Sequence, residues 1–212
     1  MRRIPSNVKG MTRTAARRPA GTPFRLHPGP AMRIPPLDLD AADAPPDARA
    51  AAADHAAHVG RVTNMKRTLL HSAPAFRALM TWYDLRDTVR PFLGDRLTTL
   101  FAHAVSAETD CLICSTFFRR ILVDSGEDPD HLALSAAEAD VVAFGRALAR
   151  DRHRVPDDVF APLRARYTDA QLVALTAFGA LMIATNVINN ALEVPLDGYL
   201  EPYRREPAHD RA

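Results

Sequence analysis

Cys111 and Cys114 are the only cysteines in a chain of 212 residues, and they stand as a C-x-x-C inside the stretch SAETDCLICSTFF. Three chemistries suit that spacing. Residues three apart on a helix share nearly one side, with Cα atoms ~5–6 Å apart, which lies within reach of a disulfide. The pair could therefore cycle between dithiol and disulfide without moving the backbone. A metal clip would need two more ligands; His103 and His131 are nearest in sequence, but they form no H-x-x-x-H pair and there is no second C-x-x-C. The third reading is two small hydrophobes in a core, where free cysteine is often buried. The first turn of a helix favours the thiolate through its free N–H groups and dipole, while the neighbouring Asp110 opposes it.

The elements that must position this pair are read as helices. The apolar share of 47% is ample for one core, and the low aromatic content of 7% favours close helix packing. PAFRALMTWYDLRDTVRPFL is expected to start a helix near Pro74, with Phe76, Leu79, Met80, Tyr83 and Val89 at helical spacing. GDRLTTLFAHAVSA gives another, with Leu97, Leu100, Phe101, Ala104 and Val105 on one side. The cysteine helix follows the interruption at ETD, with Thr109 or Asp110 as N-cap and Gly126 as its end. Ser135 with Glu138, and Thr168 with Gln171, are at capping-box spacing and open two more helices. No segment makes a convincing strand, so the expected fold class is all-α.

The run from Leu172 to Ile188 is apolar almost all round. Thr176, Gly179, Thr185 and Asn186 interrupt it and no basic flank accompanies it, so burial in the domain or in a subunit interface is expected rather than a membrane span.

Charge divides the chain. Residues 1–31 carry seven bases and no acid, leaving 20 bases against 25 acids in the rest, so the net +2 belongs to the leader. Without a basic stripe interleaved with aromatics, no nucleic-acid partner is expected. The leader has no apolar h-region and is broken by proline and glycine; it reads as a disordered basic extension, and Met32 offers a second start. Residues 32–59 read as a Pro/Asp-rich arm and a short helix, 60–205 as the helical domain and 206–212 as a polar tail. Two cysteines without an export signal fit a reducing cytoplasm. No cofactor and no metal are expected.

From about Gly60 to Tyr203 the chain resembles the carboxymuconolactone decarboxylase and alkylhydroperoxidase D (AhpD-like) superfamily. The resemblance rests on GRVTNMKRTLLHSAPAFRAL, on LFAHAVSAETDCLICSTFFRRILVDSGED with Ser106 and both cysteines in place, and on LVALTAFGALMIATNVINNALEVPLD. It implies an all-α fold assembled as trimers or hexamers, a small hydroperoxide or lactone substrate, and a dithiol electron donor. It also implies that Cys114 meets the peroxide while Cys111 pairs with it and exchanges with the donor.

The family's proton relay places a histidine four residues after the second cysteine and a glutamate about twelve before the first; Phe118 and Thr99 stand there in this sequence. Neither moves a proton. His103, eight residues before Cys111, is the candidate substitute base if the turn at ETD brings it back to the thiols; its other reading is a packing histidine. Glu108 is read as a capping or surface acid. The expected function is dithiol redox chemistry at Cys111 and Cys114, either thiol–disulfide exchange or weak peroxide reduction for want of the relay residues, with a lactone decarboxylase or an inactive helical scaffold as alternatives. No basic–histidine cluster to bind an acidic lactone is visible in the sequence.

Overall fold

The computed structural model describes residues 32–150 and 154–205. The expectations for residues 1–31 and 206–212 lie outside the described residues. Among those described there is no strand, and the helices run α1 Pro46–His58, α2 Asn64–Leu69, α3 Ala73–Met80, α4 Trp82–Glu108, α5 Leu112–Asp124, α6 Ala136–Ala149, α7 Asp157–Arg166 and α8 Asp169–Leu192. A 3₁₀ turn, Gly198–Tyr203, follows. The fold class is all-α, as the sequence implied.

The two expected capping boxes are both formed. Ser135 Oγ accepts from Glu138 N while Glu138 Oε2 accepts from Ser135 N at 2.9 Å; Thr168 and Gln171 do the same at the start of α8. Each box satisfies two donors that a helix start leaves bare. Gly94 breaks α4 with φ +79°, where the sequence places a helix boundary. The expected helix from Pro74 to Leu93, by contrast, is divided at Thr81, whose hydroxyl donates to the Ala78 carbonyl at 2.7 Å. Trp82 and Tyr83 follow the break and are half-buried.

α4 is the centre of the packing and touches α5, α6 and α8. Its Phe101 is fully buried between Phe144 of α6 and Phe178 of α8, with ring centroids 6.2 and 5.8 Å away. Gly179 lets the helices close on this stack: a Cβ there would sit 2.9 Å from both Phe101 Cζ and Leu148 Cδ1. A second apolar cluster joins α1, α2 and α3 through Ala48, Ala52, Leu69, Leu70, Phe76 and Leu79.

Within this chain α8 is buried on one face only, so of the two expected settings for Leu172–Ile188, domain core or subunit interface, the domain accounts for the inner face. Leu172, Leu175, Phe178, Met182, Asn186 and Asn189 are buried, but Val173 is 69% exposed and Val187 57%. The helix is long and apolar enough to cross a membrane by length and composition alone. Its inner face, however, is the wall against which α4 packs.

Candidate functional site

The dithiol sits where α4 gives way to α5. α4 closes at Glu108, Asp110 takes a left-handed conformation (φ +50°), and Cys111 N donates back to the Ser106 carbonyl at 3.1 Å. The N-cap of α5 is therefore Cys111 itself, not Thr109 or Asp110, because Asp110 is used up in reversing the chain. Three amides of α8 hold the turn. Asn186 Nδ2 donates to Thr109 Oγ1 at 2.8 Å, Asn190 Nδ2 donates to the Thr109 carbonyl at 2.9 Å, and Asn189 reaches the sulfurs.

Cys111 is wholly buried and Cys114 is 7% exposed. They are free thiols that come within 3.7 Å of each other. The hydrogen bond from the Cys114 thiol pulls Cys111 down to about 7, against the upward push of burial. The Cys114 backbone N–H, the Asn189 amide and the Ile113 N–H assist. Cys114 moves the other way, first because its proton is committed to Cys111 and then because it is buried. The two shifts run in opposite directions, so Cys111 is the thiol that ionises more readily and Cys114 the one that keeps its proton.

Cys114 opens onto a cavity of about 80 Å³ whose walls are mostly apolar: Trp82, Ile113, Phe117, Phe118 and Met182 among them. That is room for several water-sized groups. Lys66, Tyr83 and Asp197 supply its polar groups. Burial lowers Lys66 to about 8, with Asp197 acting against it, and raises Tyr83 to about 12.

Phe118 is buried in this wall, 6.2 Å from Trp82, and leaves no base at the position four residues after Cys114. Thr99 bonds back within its own helix, donating to the Asp95 carbonyl at 2.9 Å. His103 is not brought to the thiols. It lines a separate cavity of about 360 Å³ with Arg119, Asp130, Arg146 and Arg205. That cavity is bounded by Leu112, Ser115, Thr116 and Arg119 of α5, the side opposite Cys114, Phe117 and Phe118. Burial and then Arg119 lower His103 to about 4, so it is neutral at physiological pH. The basic–histidine cluster that the sequence did not reveal is assembled there from α4, α5, α6 and the segment after the 3₁₀ turn. Glu108 accepts from Arg150 at 2.8 Å as a surface ion pair.

Sequence reasoning missed Asn189, Lys66, Tyr83 and Asp197. The three asparagines in NVINN at the end of an apolar helix were the available signal for the first. Lys66 and Asp197 lie too far apart in the chain for any local pattern to join them.

The all-α bundle that carries this C-x-x-C is AhpD-like in fold. Two solved structures carry the comparison. One, described as an alkylhydroperoxidase AhpD core and uncharacterized peroxidase-related protein from Ralstonia eutropha JMP134, superposes with a TM-score of 0.62 at 21% identity. That match covers 81% of this chain and 95% of that one. The other, an uncharacterized peroxidase-related protein from Silicibacter sp. TM1040, gives 0.61 at 17% identity, covering 84% and 99%. At these identities the likeness establishes the fold. No family model and no curated protein matches the sequence.

Proposed function

We propose that the protein is a dithiol oxidoreductase that reduces small organic hydroperoxides. The observation that carries this reading is the juxtaposed pair: two free cysteines within 3.7 Å, with Cys114 on the wall of an apolar cavity. Cys111 takes the proton of Cys114, standing in for the base that Phe118 does not provide. The Cys114 thiolate attacks the terminal peroxide oxygen, the O–O bond breaks, and the alkoxide leaves as the alcohol after taking a proton. The Cys111 thiol then displaces hydroxide from the sulfenic acid, releasing water and closing the disulfide. An external dithiol donor supplies two electrons and two protons to reopen it.

One equivalent of cumene hydroperoxide should consume both thiols together, with no cross-linked dimers, and a dithiol reductant should restore them. Mass spectrometry finding both cysteines still reduced after that treatment would overturn the reading and leave an inactive scaffold. A second reading, decarboxylation of an acidic lactone, is favoured by one observation: the Arg146 guanidinium lines the His103 cavity with no ion-pair or hydrogen-bond partner for its side chain among the described residues. Protection of His103 from diethyl pyrocarbonate by a dicarboxylate lactone would support it.

The reduced thiols suit a cytoplasmic setting. The exposed stripe Val173, Ala180, Ala184 and Val187 on α8 supports a homo-oligomer, which light scattering showing a mass near 23.3 kDa would refute.

A further inference from the structure

Lys66 is 6% exposed and Asp197 9%, and both line the cavity that Cys114 opens onto. Buried charges are normally paired, yet this lysine and this carboxylate form no ion pair within 4 Å among the described residues, though each feels the other's field. Lys66 Nζ spends one donor on the Arg61 carbonyl at 2.8 Å and lies 5.4 Å from the Tyr83 ring centroid. An ammonium has three donors, so two remain. Asp197 Oδ1 accepts from Asn64 N at 3.0 Å, while Oδ2 is buried without a partner. A donor surplus and an acceptor surplus thus border the same small space beside a reactive sulfur.

Resting on the dithiol reading, we infer that Lys66 is the proton donor of this site: its ammonium protonates the alkoxide released as Cys114 cleaves the peroxide bond, and Asp197 keeps it charged and directed into the cavity. The substrate this fits is a hydroperoxide with an apolar body. The peroxide oxygens lie toward Lys66, and the hydrocarbon lies against Trp82, Phe117, Phe118 and Met182. In that step Lys66 gives one proton to the alkoxide and becomes a neutral amine, the alcohol forms, and Cys114 holds the hydroxyl as sulfenic acid. When the donor dithiol later reopens the disulfide, the pair ionises again, and the proton it releases returns Lys66 to its charged form.

The titratable groups around Lys66 are His55 of α1, Tyr83 of α4, Cys114 of α5, and Asp197 and Tyr199 beyond α8, with Arg61 and Arg67 flanking it in sequence; burial and Asp197 raise Tyr199, taking it away from neutrality. Burial, aided by Lys66, lowers His55 to about 4, and burial raises Tyr83 to about 12, so neither titrates near neutrality. Lys66 itself, lowered to about 8, does.

The test is single-turnover oxidation of the full-length protein by cumene hydroperoxide and, separately, by diamide, which oxidises a dithiol without releasing an alkoxide. K66M should slow the hydroperoxide reaction by about a hundredfold, in the range such proton transfers command, while leaving the diamide reaction within about twofold of wild type. The wild-type hydroperoxide rate should fall above a pH of about 8; K66M should lack that limb, and added ethylammonium should restore part of its rate. D197N, a second variant should K66M fold poorly, should move the limb to lower pH. An unchanged rate and limb in K66M, equal loss with both oxidants, or an unmoved limb in D197N would overturn the role. Wild-type protein that reacts with diamide but not with cumene hydroperoxide would instead sink the hydroperoxide reading, and this role with it.

Discussion

Asn189 serves two sulfurs with one amide: its Nδ2 lies 3.3 Å from Cys114 Sγ and 3.6 Å from Cys111 Sγ. Because a thiolate accepts such a bond better than a thiol, Asn189 favours the ionised pair. Asn189→Ala should slow alkylation of the protein by iodoacetamide at pH 7 by about tenfold, the loss expected for one hydrogen bond to a charged group. The cost to stability should be small, since the same change removes a buried Oδ1 that has no partner. Alkylation at the wild-type rate would show that the amide does not tune the sulfurs.

The acidity of Cys111 depends first on the Cys114 thiol proton. The alkylation rate of wild-type protein should therefore rise with an inflection near pH 7, below the ordinary thiol value of about 8.5. Cys114→Ala should move the inflection of Cys111 upward by removing that donor. An inflection that stays put would assign the acidity to the helix start alone.

His55 is buried, 5.5 Å from Phe76 and 5.6 Å from Tyr83 by ring centroids, and its Nε2 has no partner. Its affinity for a proton falls on folding, from 6.5 to about 4, because of burial and the charge of Lys66. The unfolded chain accordingly takes up a proton below pH 6.5 that the folded chain refuses until about 4, so acidification through this window favours unfolding. His103 acts in the same sense. His55→Phe should flatten the decline of Tm between pH 6.5 and 4; a decline of unchanged slope would count against this origin.

Gly179 faces the rigid Phe101 ring, which is held between Phe144 and Phe178 and cannot swing aside. Gly179→Ala gains about 1 kcal/mol of helix propensity but forces overpacking that typically costs about 1–3 kcal/mol. Urea denaturation should show net destabilisation. A more stable variant would mean that α4 and α8 separate more readily than the stack implies.

The fold was legible where it rests on local chemistry. Ser135 with Glu138, Thr168 with Gln171, and Gly126 with its φ of +86° mark helix ends through bonds spanning three or four residues. Asp110 was not legible, because the reversal of the chain sets its left-handed φ of +50° and leaves Cys111 to begin α5; nor was the break at Thr81, whose backbone angles stay helical. The site divided in the same way. Cys111 and Cys114 announce themselves by spacing, but Asn64 meets Asp197 across 133 residues. His103 failed as a base for a helical reason. One position on from Ala102, it is rotated ~100° from the Ala102–Ser106 row that faces Asn186.

The clamp of α8 amides on the Thr109–Cys111 turn also sets the electrochemistry of the pair. Asn189 and the first turn of α5 bond to a sulfur that carries charge, and a disulfide carries none. These contacts therefore stabilise the reduced form over the oxidised one, which raises the reduction potential by roughly 30 mV for each tenfold of preference. In the proposed cycle the closed disulfide would be an avid electron acceptor. The donor that reopens it would then need little reducing power, and the hydroperoxide would supply the driving force.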